Sequence, residues 1–285
     1  MSVKIISDST CDLSPELIER YNIHVMPLHV VLGENEYDDG VNITPEEIYA
    51  WSDENKMPPK TSALGLEEAT NVFGKYLDEG MDIVCFAISQ CMSTTINVMR
   101  MAAKELNAED RICVINSKNL STGVGLQVIE AAIMAQEGKT KDEIEAAICE
   151  IRPLVRASFV VDTLTFLHRG GRCSSIAAFA GSALRLHPRI AVTDGKMAAG
   201  KKYMGNISRV IMTYVKEMEP DLLRAKADRV FITHSGCSDE ILENVRAYLE
   251  SLNYFSEILI TRAGGVVSCH CGPNTLGVLY IAGNE

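Results

Sequence analysis

The chain has 285 residues, of which 47% are hydrophobic and 23% are charged. These fractions are close to the averages of folded globular proteins and exclude a mainly disordered chain. The length exceeds one unit of ~150 residues and predicts either two lobes or one large α/β body. The formal net charge of −11 argues against nucleic-acid binding and against more than a transient contact with an anionic membrane.

The nine cysteines are spread singly along the chain, and their odd number argues against a disulfide scaffold. The sequence opens with a strand-like run, VKIISD, rather than with a basic and then apolar signal segment. We therefore expect a cytoplasmic protein with reduced thiols.

Short apolar runs rich in Val and Ile alternate with amphipathic segments along the chain. The runs are typical of buried strands, and the alternation predicts crossover connections and a helix-covered, mainly parallel sheet. In chain order, the predicted strands are Val3–Ile6, Val25–Leu32, Ile83–Ile88, Arg111–Ile115, Ser158–Val161, Ile190–Thr193, Arg229–Thr233 and Ile258–Thr261. The clearest predicted helix is Asp239–Leu252, whose apolar residues share one face.

A change of pattern near the middle of the chain predicts a domain boundary. Two helix-like segments end before Pro153, and a new strand follows it. We expect an N-terminal α/β domain over residues 1–155 and a C-terminal α/β domain over residues 156–285. The boundary is approximate and allows the two lobes to exchange segments.

Small polar side chains follow most of the predicted strands. Because ligands bind outside the carboxyl ends of strands in open α/β sheets, the set predicts a site for an anionic or polar head group. The best single case is Ser93-Thr94-Thr95 at a predicted helix start, where hydroxyls, backbone N–H groups and the helix dipole converge. Ordinary N-capping is the alternative for each residue taken alone. The set includes Ser7–Asp12, Thr61-Ser62, Ser89–Thr95, Asn116-Ser117, Asp162-Thr163 and His234–Gly236.

Two glycine-containing segments are candidates for ligand-binding loops. Gly195–Lys201 nearly matches a phosphate-binding P-loop, but Lys202 stands where Ser or Thr is required, so a β-turn between strands is the better interpretation. Arg169 and Arg172 surround a Gly-Gly pair that predicts a tight turn. These arginines are either solvated surface charges or contacts for phosphate or an acidic partner.

Two stretches without charged residues need an explanation. Cys173–Leu184 is small and apolar, and it predicts either the lining of a deep slot or a plain buried helix. Ala263–Asn284 has the length of a membrane span, but glycines, a proline and His270 interrupt it, so we interpret it as a buried strand–turn–strand. On a strand the thiols of Cys269 and Cys271 would share a face, yet no further ligand motif completes a metal site, and no metal is predicted.

Five motifs in sequence order resemble those of the DegV family of fatty-acid-binding proteins. They extend over almost the whole chain, and each is weak alone but strong in combination. The motifs are Asp8–Leu13, Thr61-Ser62, Ile88-Ser89 with Ser93-Thr94-Thr95, Leu164 and Leu167 with Gly170-Gly171-Arg172, and His270 with Gly272-Pro273 and Leu276-Gly277.

The resemblance implies a two-domain α/β fold, with a helix-covered, mainly parallel sheet and a second α/β domain that has a mixed sheet. It implies a carrier rather than an enzyme, binding one long-chain fatty acid such as palmitate, stearate or oleate, without a cofactor. Members of the family are similar to the carrier subunits of bacterial fatty acid kinases. In these kinases a separate subunit, which resembles dihydroxyacetone kinases, phosphorylates the carboxyl group of the bound fatty acid. We expect a monomer that forms a complex of this kind.

The resemblance also implies roles for individual residues. The N-terminal domain supplies hydroxyl-rich head-group loops, and the C-terminal domain supplies the apolar pocket wall and His270. The carboxyl-binding residues are Thr61, Ser62, Ser93, Thr94, Thr95 and His270. Asp8 and Ser9 belong to the supporting polar rim, and Arg172 lies on the partner-facing side.

Departures from the family pattern leave two alternatives open. The loop Gln90–Thr95 lacks both glycines of the family's S-G-L-S-G-T pattern, and cysteines stand near the key residues at positions 91, 269 and 271. One alternative is a hydrolase or acyltransferase with Ser93 as nucleophile and His270 as base. The other is a thiol or metal sensor that uses Cys91, Cys269 and Cys271.

Overall fold

The computed structural model describes residues 2–173 and 186–283. Apart from Cys173, the uncharged stretch Cys173–Leu184 lies outside the described residues. The strands are β1 (Val3–Asp8), β2 (His24–Met26), β3 (His29–Leu32), β4 (Asn35–Asp38), β5 (Lys60–Ser62), β6 (Asp82–Ala87), β7 (Ile112–Asn116), β8 (Val155–Val160), β9 (Leu186–Thr193), β10 (Lys196–Met204), β11 (Ala225–Ser235), β12 (Glu257–Arg262) and β13 (Thr275–Ala282). The helices are α1 (Pro15–Arg20), α2 (Pro45–Asn55), α3 (Leu66–Asp78), α4 (Thr95–Glu105), α5 (Thr122–Gln136), α6 (Lys141–Ile151), α7 (Thr165–Gly170), α8 (Ile207–Glu217), α9 (Glu219–Leu222), α10 (Asp239–Ser251) and α11 (Gly265–Cys271).

One sheet is parallel, with the strand order β2-β1-β6-β7. Both of its faces are buried. Ile5 and Phe86 pack in a core with residues of α5, whereas Ile6 and Cys85 pack in a second core with residues of α3 and α4. The prediction of a helix-covered parallel sheet is therefore confirmed.

A second sheet is mixed, with the order β10-β9-β8-β13-β11-β12. β11 and β12 pair in parallel, and the other neighbouring pairs are antiparallel. Although β13 comes last in the chain, it lies between β8 and β11 in the middle of the sheet. Its Val278 packs with residues of α8 and α10, and the adjacent Leu279 packs on the opposite face with residues of α5.

Helix α5 lies in the core that the two sheets share. Val124 and Val128 belong to the same buried cluster as Ile5 of the parallel sheet and Leu279 of the mixed sheet. A helix buried around most of its circumference is expected to be apolar on most faces, as α5 is. Nowhere in residues 2–173 and 186–283 is there a helix both long and apolar enough to cross a membrane. The domain division at residue 155 stays a prediction.

A small antiparallel sheet with the order β4-β3-β5 carries Thr61, which pairs with Val30. The prediction of one strand over Val25–Leu32 is wrong, because the strand is interrupted at Pro27 and two separate strands form. β2 joins the parallel sheet, whereas β3 joins this small sheet. Proline has no backbone N–H to donate to a ladder, so it favours an interruption of the strand.

The interpretation of Ala263–Asn284 as strand–turn–strand is wrong in its first half, which forms α11 before β13 begins. The backbone N–H groups at the start of α11 are held by the carboxylates of Asp12 and Asp39, which are far away in the sequence. Residues two apart on a helix point in different directions, so Cys269 and Cys271 do not share a face as they would on a strand.

Several local predictions are confirmed. The sequence Thr44-Pro45-Glu46-Glu47 predicts an N-cap, a proline at the first helical position and acids in the first turn, and it does start α2, where Thr44 and Glu47 also form a capping box. α4 begins at Thr95, next to the predicted Ser93-Thr94 pair. The near-match to a P-loop begins in a turn between β9 and β10, with φ values of +48° at Asp194 and +79° at Gly195, and it continues as strand β10.

Candidate functional site

A cavity of about 380 Å³ lies among the loops after several strands, α7 and α11. This volume falls within the usual range of small-molecule pockets, ~300–1,000 Å³. The apolar lining residues are Leu28, Ala63, Ile88, Met92, Leu120, Phe159, Leu167, Met197, Val266 and Val267. The remaining lining residues are Thr61, Ser62, Gln90, Cys91, Ser93, Thr94, Arg172, His270 and Cys271. A mainly apolar cavity with a few polar groups suits an apolar ligand that has one polar end.

Thr61 and His270 meet at this cavity, although 209 positions separate them in the sequence. The Thr61 hydroxyl lies 3.0 Å from Nε2 of His270. β5 places Thr61 through its pairing with β3, and α11 places His270 near its C-terminal end. The structure thus brings together two residues that the sequence motifs predicted for the same head group.

The imidazole of His270 is neutral at physiological pH. Burial lowers its pKa to about 4, and the nearby positive charge of Arg172 acts in the same direction. Its Nδ1 atom is buried without a hydrogen-bond partner in the described part of the chain. A proton on Nε2 leaves no donor unpaired, because Nε2–H then donates to Thr61. The Thr61 hydroxyl hydrogen is free for a ligand in this tautomer.

Gly170 makes room for the His270 ring. A Cβ atom at this position would overlap Nδ1 of His270. Gly170 is the last residue of α7, and Gly171 ends the helix with a φ of +66°. The Gly-Gly pair therefore combines a helix end with close packing against the histidine, rather than forming a separate turn.

Ser93 and Thr94 line the cavity just before α4, and Thr95 supports them from a buried position. The Ser93 hydroxyl lies 2.9 Å from the Thr95 hydroxyl and accepts a hydrogen bond from the Thr95 backbone N–H. Ser62 also lines the cavity, and its hydroxyl donates to Glu36 over 2.7 Å. Hydroxyls and helix N–H groups here are potential donors to an anion.

Asp8 and Ser9 are not among the described residues that line the cavity. They bind other parts of the protein. The buried Asp8 carboxylate accepts hydrogen bonds from Thr10 and from the backbone N–H of Ile88. Burial raises its pKa to about 6. Because Ile88 lines the cavity, Asp8 contacts the site through a loop that it helps to hold.

Arg172 is exposed and lines the cavity. Its Nη1 atom donates to the carbonyl oxygen of Gly170 over 2.7 Å. This bond holds the guanidinium on the side of the cavity where α7 and His270 lie. It gives the site a positive charge next to a neutral histidine.

Most of the apolar wall lies outside the motifs, which include only Ile88 and Leu167 of its residues. Leu120, Phe159 and Met197 come from three separate segments, and none belongs to the motifs that predicted the polar residues. Apolar residues are frequent in every core, so their type alone carries no signal of a ligand. Only the fold shows that they share a cavity.

The cysteines near the site differ in exposure. Cys91 is exposed, whereas Cys269 and Cys271 are buried, and burial raises the pKa of both thiols. In the part of the chain that the structure describes, the group of side chains that could hold a metal ion is instead His29, Asp38 and Glu68. Each imidazole nitrogen of His29 already pairs with one of these carboxylates, at 3.0 and 3.1 Å.

The family model described as "Uncharacterised protein, DegV family" matches residues 2–283 of the chain. The chain belongs to the DegV family. A DegV domain-containing protein from Clostridium acetobutylicum is 33% identical over 282 residues, which cover 98% of each chain. One from Clostridium perfringens is 32% identical over 279 residues and has the same coverage.

Solved structures of DegV family proteins have the same fold. A Thermus thermophilus structure, described as showing fatty acid binding of a DegV family protein, is 29% identical, with a TM-score of 0.91. The alignment covers 99% of this chain and 100% of that chain. A protein from Eubacterium ventriosum, described as binding stearic acid, is 29% identical with a TM-score of 0.84, and 98% of both chains is covered. These likenesses confirm the α/β architecture with its parallel and mixed sheets.

Proposed function

We propose that this protein binds one long-chain fatty acid, such as palmitate, stearate or oleate, in the cavity described above. The observation that carries the proposal is the mainly apolar cavity whose polar lining includes the paired Thr61 and His270. The two relatives described as binding fatty acids support this ligand class. The proposal requires no cofactor.

The energetics of the cavity favour such a ligand. Burying one CH₂ group stabilises a complex by about 0.8 kcal/mol, so a ~16-carbon chain contributes about 12 kcal/mol before the costs of binding. Burying the carboxylate costs several kcal/mol unless donors replace its water. The affinity for a fatty acid therefore depends on both the apolar wall and the polar end.

The donors for the carboxylate are mainly uncharged. Thr61 donates its hydroxyl hydrogen while His270 holds the oxygen of that hydroxyl. Ser93 and the N-terminal end of α4 supply further donors, and Ser62 and Thr94 lie beside them. Thr95 supports Ser93, and Asp8 and Ser9 hold the surrounding loops.

The proposal includes presentation of the lipid to a separate kinase subunit that resembles dihydroxyacetone kinases. In that role the protein is a cytoplasmic, monomeric carrier, and its partner transfers phosphate from ATP to the bound carboxylate, forming an acyl phosphate and ADP. Arg172 supports this part of the proposal, because an exposed guanidinium at the cavity is suited to bind an incoming phosphate group.

The two alternative functions have less support. The hydrolase alternative needs a base at Ser93, whereas Nε2 of His270 contacts Thr61 and the Ser93 hydroxyl contacts Thr95. The sensor alternative needs thiolates, and burial raises the pKa of Cys269 and Cys271.

The test of ligand binding is native mass spectrometry of the freshly purified protein, followed by extraction of any bound lipid. We expect a co-purifying fatty acid, and we expect Ser93→Ala and Thr61→Ala to weaken fatty-acid affinity by about tenfold each. The matched control is Thr70→Ala, which removes a hydroxyl that binds the Leu66 carbonyl within α3. Unchanged affinity in both site variants would contradict the head-group assignment.

The test of the kinase role uses Arg172→Ala together with a kinase subunit and ATP. We expect at least a tenfold loss of acyl phosphate formation at saturating fatty acid, measured by trapping with hydroxylamine. Arg169→Ala is the control, since this arginine is also exposed and lies three positions earlier, near the end of α7. Equal activity of the two variants would contradict a special role of Arg172.

A further inference from the structure

The short helix α11 carries His270 near its C-terminal end and has a buried N-terminal end. The first N–H groups of any α-helix lack acceptors within the helix, so buried ones need partners from elsewhere. α11 has only seven residues, and a helix of this length is marginal without external contacts. Its position therefore depends on what holds its N-terminus.

Two carboxylates hold that end. The backbone N–H of Gly264 donates to Asp12 over 2.8 Å, and the backbone N–H of Gly265 donates to Asp39 over 2.6 Å. Asp12 follows the 3-10 turn after β1, and Asp39 follows β4. Negative groups are favourable at a helix N-terminus, where the unpaired N–H groups concentrate positive charge.

The carboxylates are themselves fixed in orientation. The second oxygen of Asp12 accepts from the Ser121 hydroxyl over 2.5 Å, and the second oxygen of Asp39 accepts from the Ser9 hydroxyl over 2.8 Å. Asp12, Asp39 and Ser121 are buried, and Ser9 is partly buried. Each carboxylate thus has one oxygen on α11 and one on a different segment of the chain.

The two glycines make this approach possible. A Cβ atom on Gly264 would lie 3.1 Å from both Asp39 oxygens and 3.3 Å from one Asp12 oxygen. A Cβ atom on Gly265 would lie 2.9 Å from Ile48 and 3.0 Å from Asp39. A side chain at either position would therefore move the helix away from the carboxylates.

We infer that Asp12 and Asp39 are positioning residues for the head-group site, because they fix α11 so that His270 meets Thr61. With a rise of 1.5 Å per residue, the six steps from Gly264 to His270 span about 9 Å. If the N-terminal end of α11 shifts, the helix tilts and displaces the imidazole of His270 near its C-terminal end. The inference rests on the proposed function and assigns a role to Asp12 of the Asp8–Leu13 motif.

The test compares two ligands of equal chain length, palmitate and hexadecanol, in Asp12→Ala and Asp39→Ala. Loss of positioning reduces palmitate affinity by about tenfold but hexadecanol affinity by less than about threefold, because the alcohol depends less on head-group geometry. The control is Asp82→Ala, which breaks an ion pair with Arg111. Asp82 is the first residue of β6, and the loop to Ser93 follows the other end of this strand. This variant loses stability without a change in the ratio of the two affinities.

A second readout does not require any ligand. The ¹⁵N chemical shifts of the His270 ring report its hydrogen bond to Thr61, and we expect them to change in the two aspartate variants but not in Asp82→Ala. If the alanine variants fail to fold, Ser121→Ala and Ser9→Ala, which remove the hydroxyls that fix the orientation of the two carboxylates, replace them in both measurements. An unchanged affinity ratio together with unchanged ring shifts in folded variants overturns the inference. Failure of the wild-type protein to bind palmitate overturns the proposed function instead, and the ring shifts still decide the positioning role.

Discussion

The hydroxyl of Ser89 donates a hydrogen bond of 2.7 Å to the carbonyl oxygen of Gly195. Ser89 lies after β6 in the loop that leads to Ser93, and Gly195 lies at the turn between β9 and β10. The bond therefore joins a hairpin of the mixed sheet to the polar loop of the cavity, which Met197 of the same hairpin also lines. This contact braces the proposed carboxylate donors from the C-terminal half of the chain.

Gly195→Ala tests this brace. The new Cβ would overlap the Ser89 hydroxyl, and the φ of +79° is unfavourable for alanine. We expect a loss of about 1–3 kcal/mol in the free energy of unfolding, together with weaker fatty-acid binding. Urea denaturation and a lipid-binding titration measure the two effects.

Gly80→Ala is the matched control for backbone strain. Its φ is +77°, but no atom lies within 4 Å of the added Cβ. It should lose stability from the backbone term alone and bind fatty acid normally. Equal binding defects in the two variants would show that the Ser89 contact has no special role.

Gly170→Ala should push the His270 ring away from α7, because the added Cβ overlaps Nδ1. We expect fatty-acid affinity to fall by about tenfold as the Thr61–His270 contact is lost. The comparison is Gly74→Ala in α3, where the added Cβ has no neighbour within 4 Å and helix propensity favours alanine by up to about 1 kcal/mol. A Gly170→Ala variant with wild-type affinity would argue against a tightly packed histidine.

The histidine predicts a pH dependence of stability. The folded-state pKa of His270 is about 4, below the ordinary value of ~6.5. Between these values the unfolded chain takes up a proton that the folded protein does not, so the free energy of unfolding falls as the pH drops. The contribution is at most about 3 kcal/mol, and it is fully present above pH ~6.5.

Urea denaturation at pH 7 and pH 4.5 measures this term by comparing the wild type with His270→Gln. The variant should lose less stability than the wild type between the two pH values. In NMR spectra of the wild type, the His270 ring should keep the shifts of a neutral imidazole down to about pH 5. A ring that titrates near pH 6.5 would contradict the neutral histidine described above.

Asp8→Ala should destabilise the protein without touching the ligand directly. Removing this carboxylate leaves the backbone N–H of Ile88 and the donors of Thr10 without their acceptor. We expect a loss of about 2–4 kcal/mol, from at least two unpaired buried donors. Thermal or urea unfolding measures it, and a loss below about 0.5 kcal/mol would mean that water replaces the carboxylate.

Local patterns in the sequence predicted the elements whose stabilising contacts are local. The capping box Thr44–Glu47 and the apolar face of α10 both depend on residues within a few positions of each other. α11 could not be predicted in this way, because Asp12 and Asp39 lie 252 and 226 positions from the glycines that they bind. The interruption of the strand at Pro27 had a local signal, the proline itself, but the apolar residues on both sides favoured one continuous strand.

The residues of the site likewise divide into those that the sequence predicted and those that only the fold reveals. Motifs predicted Thr61, Ser93 and His270 as one group, and the structure places all three at the cavity. They could not show that Asp8 contacts a loop rather than the cavity, since a carboxylate after a strand suits both positions. Phe159 lines the cavity because tertiary packing brings apolar residues of distant segments together. No local pattern in the sequence predicts this position.

The central place of β13 has a consequence for biosynthesis. β8 and β11 each pair with this strand, so both expose an unpaired edge until β13 has been synthesised and has joined the sheet. His270 and α11 come immediately before it in the chain. Until then these two open edges are the surfaces through which aggregation during synthesis would begin.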